Sequence, residues 1–312
     1  MDDAVWGSLP DTGLDMGASG FVGSVRITSD TPVVVQSFID IPGTPGVTAF
    51  SGVPVDSADT TLYAPLIRAN YYGDTGISIV NPNPNPVTTT IVFRADAGSP
   101  NLGTYTETLT IGANSSEAPF QGPGGSSRDA GLPGGSQTPA DPTPTNDGFY
   151  GVATISATDP VLAVVNDSKY GAGWAVESQS SYNCVTASEA GHDFALPLVR
   201  RYHLADTKLT TGVQIQNTTG TTATVSMALT NWDGTDQSAS NPADVSVPPY
   251  GSGNFWQGNL TGLPTVPPEA GGFGWYGSAI IESDQSIVVV VSDEGFGTTA
   301  VDSANYNAIK VE

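Results

Sequence analysis

The sequence is short of cysteine, of basic residues and of long hydrophobic runs, and each shortage excludes a class of protein. The single cysteine, Cys184, excludes an intramolecular disulfide framework and any cysteine-based zinc site. Apolar runs such as Ile287–Val291 are far shorter than the roughly 18 residues of a membrane-spanning helix, so we expect no membrane insertion. Asp2 and Asp3 stand where a signal peptide has basic and apolar residues. If the protein is secreted, we therefore expect this chain to be a mature or trimmed form.

Basic residues are outnumbered: 9 Lys and Arg stand against 31 Asp and Glu, giving a formal net charge of −22. Nucleic acid is excluded as a partner because phosphate binding needs clustered Lys and Arg. The acidic residues are expected to form a solvated surface that keeps the protein soluble and could hold calcium loosely.

Glycine, proline and short runs rich in Val, Ile and Thr are what the sequence has instead. There are 37 Gly and 24 Pro, and only 13% of residues are charged. No apolar stripe at helical spacing extends over 11 residues or more. Short β-branched runs separated by turn residues are typical of an all-β protein.

Three stretches of the chain can be superimposed on one another. They are FVGSVRITSDTPVVVQ from Phe21, FYGVATISATDPVLAVV from Phe149 and WYGSAIIESDQSIVVVV from Trp275. Each predicts an alternating strand, a turn and a Val-rich strand. The shared glycines Gly23, Gly151 and Gly277 are 128 and 126 residues apart, a period that indicates repeated domains and not a solenoid.

Further segments match twice, such as LYAPLIR from Leu62 with FALPLVR from Phe194. About seven strands per unit are predicted, the number expected of an immunoglobulin-like sandwich. The fold class is therefore all-β, with tandem immunoglobulin-like β-sandwich repeats and an incomplete N-terminal unit. We predict a partial unit at residues 1–57, a repeat at 58–188 with a Gly/Pro-rich insertion at 121–147, and a repeat at 189–312.

Alternation within the strands predicts which side chains are buried. Ile77 and Ile79 share one face of their strand, and Val213 and Ile215 do the same, with Gln214 and Gln216 on the opposite face. The run Ile287–Val291 is apolar on both faces, so we expect a central strand or one that lies against a neighbour.

The partial unit at residues 1–57 would consist of the back half of a sandwich, with Trp6-Gly7 followed by three strands. Half a sandwich exposes an apolar face and unpaired strand edges. It could contact another subunit and build a filament or layer by strand addition, pack within its own chain, or be the stump of a longer array.

The motifs Pro65-Leu66, Tyr71-Tyr72-Gly73, Phe21-Val22-Gly23-Ser24 and Tyr306-Asn307-Ala308 resemble immunoglobulin-like repeats of long secreted and cell-surface proteins of bacteria. The resemblance covers nearly the whole chain. It implies tandem β-sandwiches, an extracellular or cell-surface setting and a structural or adhesive role without enzymatic activity.

Residues that could carry chemistry are few. The two histidines, His192 and His203, have no recognisable nucleophile partner, and no Gly-x-Ser-x-Gly motif occurs. We therefore expect no enzyme, no catalytic residue and no tightly bound metal or cofactor. Asn231, Asp233 and Asp236 could hold a calcium ion, although an Asp-Gly turn explains them as well.

Two further groups of residues are candidate contact or modification sites. Trp174 and Trp232 lie in turn-rich segments where an exposed indole could stack on a sugar. N-x-S/T sequons mark four candidate glycan attachment sites: Asn114, Asn166, Asn217 and Asn259.

From these features we expect a structural extracellular protein, a subunit of a filament, sheath or surface layer that self-associates into a homopolymer through strand edges and loops. The first alternative is a cell-surface adhesin or carbohydrate-binding module that contacts surface glycans. The second is a stalk that spaces other domains.

Overall fold

A computed structural model describes residues 23–40, 47–138, 140–141, 143–170, 176–267, 272–296 and 303–311. Within these ranges the chain forms 18 β-strands and one α-helix, α1 (Ser126–Asp129). This confirms the predicted all-β class. Among the described residues, no helix is long and apolar enough to cross a membrane.

The strands fall into a hairpin and two large antiparallel sheets. The N-terminal hairpin consists of β1 (Gln36–Asp40) and β2 (Val47–Ser51). The strands of the first sheet are β3 (Asp59–Ala69), β4 (Gly73–Asn81), β5 (Val87–Ala95), β6 (Thr104–Ile111), β7 (Ser115–Glu117), β8 (Phe149–Tyr170), β9 (Val176–Asn183) and β10 (Val185–Thr186). Those of the second sheet are β11 (Gly191–Arg201), β12 (Thr210–Asn217), β13 (Ala223–Asn231), β14 (Val245–Val247), β15 (Ser252–Trp256), β16 (Trp275–Glu294), β17 (Ser303–Asn307) and β18 (Ile309–Lys310).

One long strand organises each sheet by changing partners along its length. The first part of β8 pairs with β3 and β5, and its second part, from Leu162, pairs with β4 and β9. In the same way β16 pairs first with β11 and β13 and then with β12 and β17. Each sheet therefore folds over into two layers around a core, an arrangement consistent with a β-sandwich.

In two of the three superimposed stretches, the turn predicted between the alternating strand and the Val-rich strand is wrong; in the first stretch, a bend lies at Asp30 and Thr31. Each pair of predicted strands forms one continuous strand, β8 or β16. The ladder between β3 and β8 shifts register at this point, since Thr61 lies opposite Ser156 but Asp59 lies opposite Val161. The register shift marks a bulge, at which β8 passes from its ladders with β3 and β5 to its ladders with β4 and β9.

The predicted inward-facing side chains are confirmed in both sheets, whereas Gln214 and Gln216, predicted on the outward face, are buried as well. Ile77 and Ile79 lie in the first core, and Val213 and Ile215 lie in the second. Cys184 is buried in the first core, and burial raises the pKa of its thiol to about 12.

A buried asparagine holds the loops of each sheet together. The amide nitrogen of Asn217 at the end of β12 donates to the carbonyls of Thr221, Val247 and Pro248, at 2.6, 3.2 and 3.2 Å. Asn81 at the end of β4 makes a matching set of three hydrogen bonds in the first sheet. One fully buried side chain thus satisfies carbonyls from two separate loops.

The N-terminal segment is less regular than predicted. Of the three strands expected after Trp6-Gly7, the structure describes two, β1 and β2, while residues 23–35 lie in no strand. Trp6 lies outside the described residues. The hairpin contacts the first sheet of its own chain, where Thr48 Oγ1 donates to Ser181 Oγ at 3.2 Å. The first predicted strand has no neighbouring strand among the described residues, and an unpaired strand is not stable alone.

Replacing Asn217 with alanine should lower the free energy of unfolding by about 1–3 kcal/mol, because buried carbonyls lose their donor. Urea denaturation followed by tryptophan fluorescence measures the change. The matched control is Asn259→Ala, since Asn259 is exposed. Equal stability of the two variants would contradict the role given to Asn217.

Candidate functional site

The two sheets meet along a seam in which β16 serves both sides. Ile287, Val289 and Val291 point into the second core. Val290, from the opposite face of the same strand, belongs to the first core, and Val288 packs on Tyr63 and Val185 of the first sheet. The prediction of a strand apolar on both faces is confirmed, because each face contacts a different apolar cluster.

Two glutamines expected to point away from the core of the second sheet are buried in this seam. Gln216 is fully buried, and its Nε2 donates to the carbonyl of Ala153 at 3.2 Å and to Thr154 Oγ1 at 2.9 Å. Gln214 accepts a hydrogen bond from the hydroxyl of Tyr150. Side chains on the polar face of β12 therefore connect the two sheets.

Four charged residues form an ionic cluster at one end of the seam: Arg68, Asp167, Lys169 and Glu294. Glu294 Oε1 lies 2.7 Å from Arg68 Nη2 and 2.8 Å from Lys169 Nζ, so one carboxylate of the second sheet bridges two cations of the first. Asp167 is fully buried, with its oxygens 3.7 Å from Arg68 Nε and 3.9 Å from Lys169 Nζ. The two positive and two negative charges balance within the cluster.

Burial and pairing act in opposite directions on these groups. Burial alone would raise the pKa of Glu294, but Lys169 and Arg68 hold it well below its usual range. Burial disfavours the charged form of Arg68, but Asp167 and Glu294 overcome that effect and raise the pKa of its guanidinium. All four side chains are at most 16% exposed. Removing one partner would leave an uncompensated buried charge.

The same hydrogen bond occurs at two successive junctions. The side-chain nitrogen Nδ2 of Asn307 on β17 donates to the backbone carbonyl of Asn183 on β9 at 3.0 Å. The side-chain Nδ2 of Asn183 in turn donates to the backbone carbonyl of Ser51 on β2 at 3.3 Å. The strands β2, β9 and β17 thus lie in series, with each linked to the next by one asparagine.

Strand register shows that these three residues hold matching positions. Ser51 pairs with Gln36, Asn183 with Val164 and Asn307 with Val290. These partners are 128 and 126 residues apart, the same spacings that separate the shared glycines.

Sequence reasoning did not identify the ionic cluster. A usable signal was present, since Asp167 and Lys169 continue the alternation of the Val-rich strand at inward positions. Charged residues at such positions indicate pairing across an interface, but the sequence does not say with which residue.

The candidate sugar-stacking residues receive different environments. Trp174 lies outside the described residues. Trp232 is half-buried, packs on the second core and lies 6.0 Å from the ring of Tyr276, which itself lies 4.8 Å from His203. Trp256 lies 5.4 Å from the exposed Phe296. The structure thus places several aromatic rings at one end of the second sheet.

One sequon is incompatible with the fold. Asn217 is fully buried with its amide nitrogen donating three hydrogen bonds, so a glycan cannot be attached there in the folded chain. Asn114 and Asn259 are exposed. Asn166 is half-buried, and its side-chain Oδ1 accepts a hydrogen bond from Ser181 Oγ.

The candidate calcium residues are engaged within their own turn. Asn231 Oδ1 accepts from the indole nitrogen of the buried Trp275 at 2.7 Å. Asp233 and Asp236 accept hydrogen bonds from Thr235 and Ser238, which lower the pKa of each carboxyl. Among the described residues, no group of three His, Cys, Asp or Glu is placed to hold a metal ion.

The Gly/Pro-rich insertion at residues 121–147 is folded against the end of the first sheet. It contains α1 and buries Leu132 and Gln137. The side-chain nitrogen of Asn70, the first residue after β3, donates to Gly134 O at 2.9 Å and to Asp147 Oδ1 at 2.8 Å. The insertion therefore covers the end of the first sheet that corresponds to the aromatic end of the second.

Comparison with known proteins gives no family. No protein-family model matches the chain, and no curated protein matches it. A solved structure, the crystal structure of Thermotoga maritima 1070, aligns with 39% of this chain and 96% of its own length, at 16% identity. Its TM-score of 0.30 is too low to support an argument about this protein.

Replacing Glu294 with glutamine should lower the free energy of unfolding at pH 7 by about 3–5 kcal/mol, because Arg68 and Lys169 keep a buried charge without its partner. Chemical denaturation measures this change. Glu282→Gln is the matched control, since Glu282 is an exposed residue on the same strand.

The effect of Glu294→Gln should also depend on pH. A carboxyl whose folded pKa is lowered stabilises the protein above its unfolded pKa, about 4.3 for glutamate, and this contribution is lost as pH falls towards the folded value. The gap in stability between wild type and Glu294→Gln should therefore narrow below about pH 4.3. A gap that widens on acidification would contradict the assignment.

Proposed function

We propose that this chain is a structural extracellular protein, a subunit that builds a filament, sheath or surface layer from stacked β-sandwich units. The single observation that carries the proposal is the recurring junction in which Asn307 donates to Asn183 and Asn183 donates to Ser51. The extracellular setting rests on the resemblance to repeats of bacterial surface proteins.

Matching connectivity supports the view that the two sheets are copies of one immunoglobulin-like unit. Taken in chain order, β3–β10 and β11–β18 have corresponding partners, with β8 and β16 as the shared long strands. Loop details recur too, since the buried Asn81 and Asn217 make matching hydrogen bonds. The N-terminal hairpin corresponds to the last hairpin of such a unit, β16 with β17.

The geometry of the junction favours an open assembly. Each unit contacts the next through different surfaces, one on the side of Arg68 and the other on the side of Glu294. A contact between two different surfaces does not close on itself by two-fold symmetry and continues as a ring or filament. Within the chain, the described strands of the two sheets share no backbone ladder, so side chains carry the contact between them. The proposal extends a side-chain contact of this kind to the joint between subunits.

The buried seam also suits a structure under mechanical tension. Ionic, amide and apolar contacts all cross it, so bending the two units apart would expose charges and apolar side chains together. A rigid seam would also suit a stalk that spaces other domains. The stalk alternative differs from the assembly proposal because a stalk does not self-associate.

The purified chain should form filaments, sheets or large oligomers at physiological salt, and a variant that begins at Asp59 should lose them. Sedimentation velocity and negative-stain microscopy measure both. The deletion removes the N-terminal hairpin but none of the strands of the two sheets. If both forms sediment as monomers over the whole accessible concentration range, the assembly function is wrong and a stalk is favoured.

The aromatic end of the second sheet favours a second candidate, adhesion to surface glycans. Rings of Trp232, Tyr276 and His203 lie together there, and Trp256 and Phe296 form another pair. Flat aromatic faces bind the apolar faces of sugars.

If adhesion is the function, Trp232→Ala should weaken binding to a polysaccharide or glycan array at least about tenfold through loss of one stacking ring. Tyr72→Ala is the control, because Tyr72 is an exposed aromatic residue of the first sheet. No glycan binding by the wild-type chain would exclude this candidate.

A further inference from the structure

Three strands at the same register position differ in how far their outward faces are covered. On β16 the outward side chains are fully buried against the first sheet: Val288, Val290 and Ser292. On β8 the corresponding side chains are half-buried: Leu162, Val164 and Asn166. At β1 they are exposed: Val34, Gln36 and Phe38.

The exposed face at β1 is apolar enough to need a cover. Val34 is 99% exposed and Phe38 is 67% exposed, and both point to the same side of an extended strand. The ladder reaches this far, because the amide of Gly52 donates to the carbonyl of Val35 at 2.8 Å. By strand register, Val34 and Phe38 correspond to Val288 and Ser292, whose side chains contact the first sheet.

The second sheet has an open face that corresponds to the one β16 covers on the first sheet. Thr154 and Val185 contact residues of the second sheet across the seam. By register, their counterparts are Ile280 and Ile309, which are 39% and 56% exposed. Arg200 holds the position of Arg68, pairs with Asp293 at 2.5 Å and keeps a side chain that is 23% exposed.

We propose that the N-terminal hairpin of a second copy of this chain docks on the face formed by Arg200, Ile280 and Ile309, and so repeats the internal seam between copies. This inference rests on the proposed assembly function and names its contact. Continuity with the seam identifies the occupant, because the face at β1 corresponds to the one that already packs on the first sheet. By strand register, the backbone position of Asp40 corresponds to that of Glu294.

The joint between copies is weaker than the seam within one chain. The hairpin supplies the counterpart of β16 and β17 but, within the described residues, no counterpart of β12, whose Gln214 and Gln216 cross the internal seam. Chains that each carry a net charge of −22 also repel one another. Association should therefore rise with protein concentration and with salt, which screens the repulsion.

Charges placed on either face should block the joint. The variant Val34→Asp/Phe38→Asp alters the hairpin, and Ile280→Asp/Ile309→Asp alters the receiving face. Each should raise the concentration at which the chain associates at least about tenfold, because an unpaired charge would be buried in an apolar contact. Val25→Asp/Ile27→Asp is the matched control, since both residues are exposed in the same segment but lie outside the hairpin.

Mixing the two blocked variants separates this contact from any other mode of assembly. Each variant retains one intact face, so an equimolar mixture should form a dimer of twice 31.9 kDa and no larger species in sedimentation velocity. Urea denaturation should show unchanged unfolding of both variants, because the altered side chains are exposed.

Each remaining outcome has a separate meaning. If the blocked variants polymerise like wild type, or if their mixture stays monomeric, this contact is wrong while the assembly function stands. If the wild-type chain does not associate at any concentration or salt, both the contact and the assembly function are wrong.

Discussion

Val288 and Val290 project from β16 into the first sheet, while Ile287, Val289 and Val291 project from the same strand into the second core. A strand whose alternate side chains enter two apolar clusters cannot be moved without opening both. The two sheets are therefore not independent domains joined by a linker. Their relative placement is fixed through β16, one face of which fills the second core while the other packs on the first sheet.

Specificity in this seam comes from its polar groups. Apolar surfaces alone would tolerate sliding, whereas Glu294 must meet both Arg68 and Lys169, and Gln216 must meet Ala153 and Thr154. A misplaced carboxylate would be buried without a partner, which is a large penalty. The ionic cluster therefore fixes how the two sheets are aligned with each other. The net stabilisation from a buried ion pair can be small, even though removing one partner is costly.

A contact between different surfaces has a direct consequence for assembly. Within the chain, the surface used by the second sheet is covered by the first, while the corresponding surfaces at the hairpin and on the second sheet stay open. Those two open surfaces match the two sides of the covered seam. The proposed self-association would therefore repeat a contact that one chain already makes between its own two sheets, with the N-terminal hairpin as one of the two open surfaces.

Much of the fold could be predicted from the sequence, because alternation and turn residues act locally. A period of two in the apolar residues predicts the all-β class and the inward faces of four residues: Ile77, Ile79, Val213 and Ile215. The apolar run Ile287–Val291 predicts a strand that is covered on both faces. Only the tertiary structure decided which surfaces do the covering. The turns predicted in two of the stretches are bulges within β8 and β16, where each strand passes from one set of partner strands to the next. Asn217 is excluded as a glycan site because it is buried, and Arg68 pairs with Glu294, 226 residues away in the sequence. Pairing between residues so far apart in the sequence depends on which faces the folded chain brings together. The local sequence pattern around each residue does not determine which faces meet.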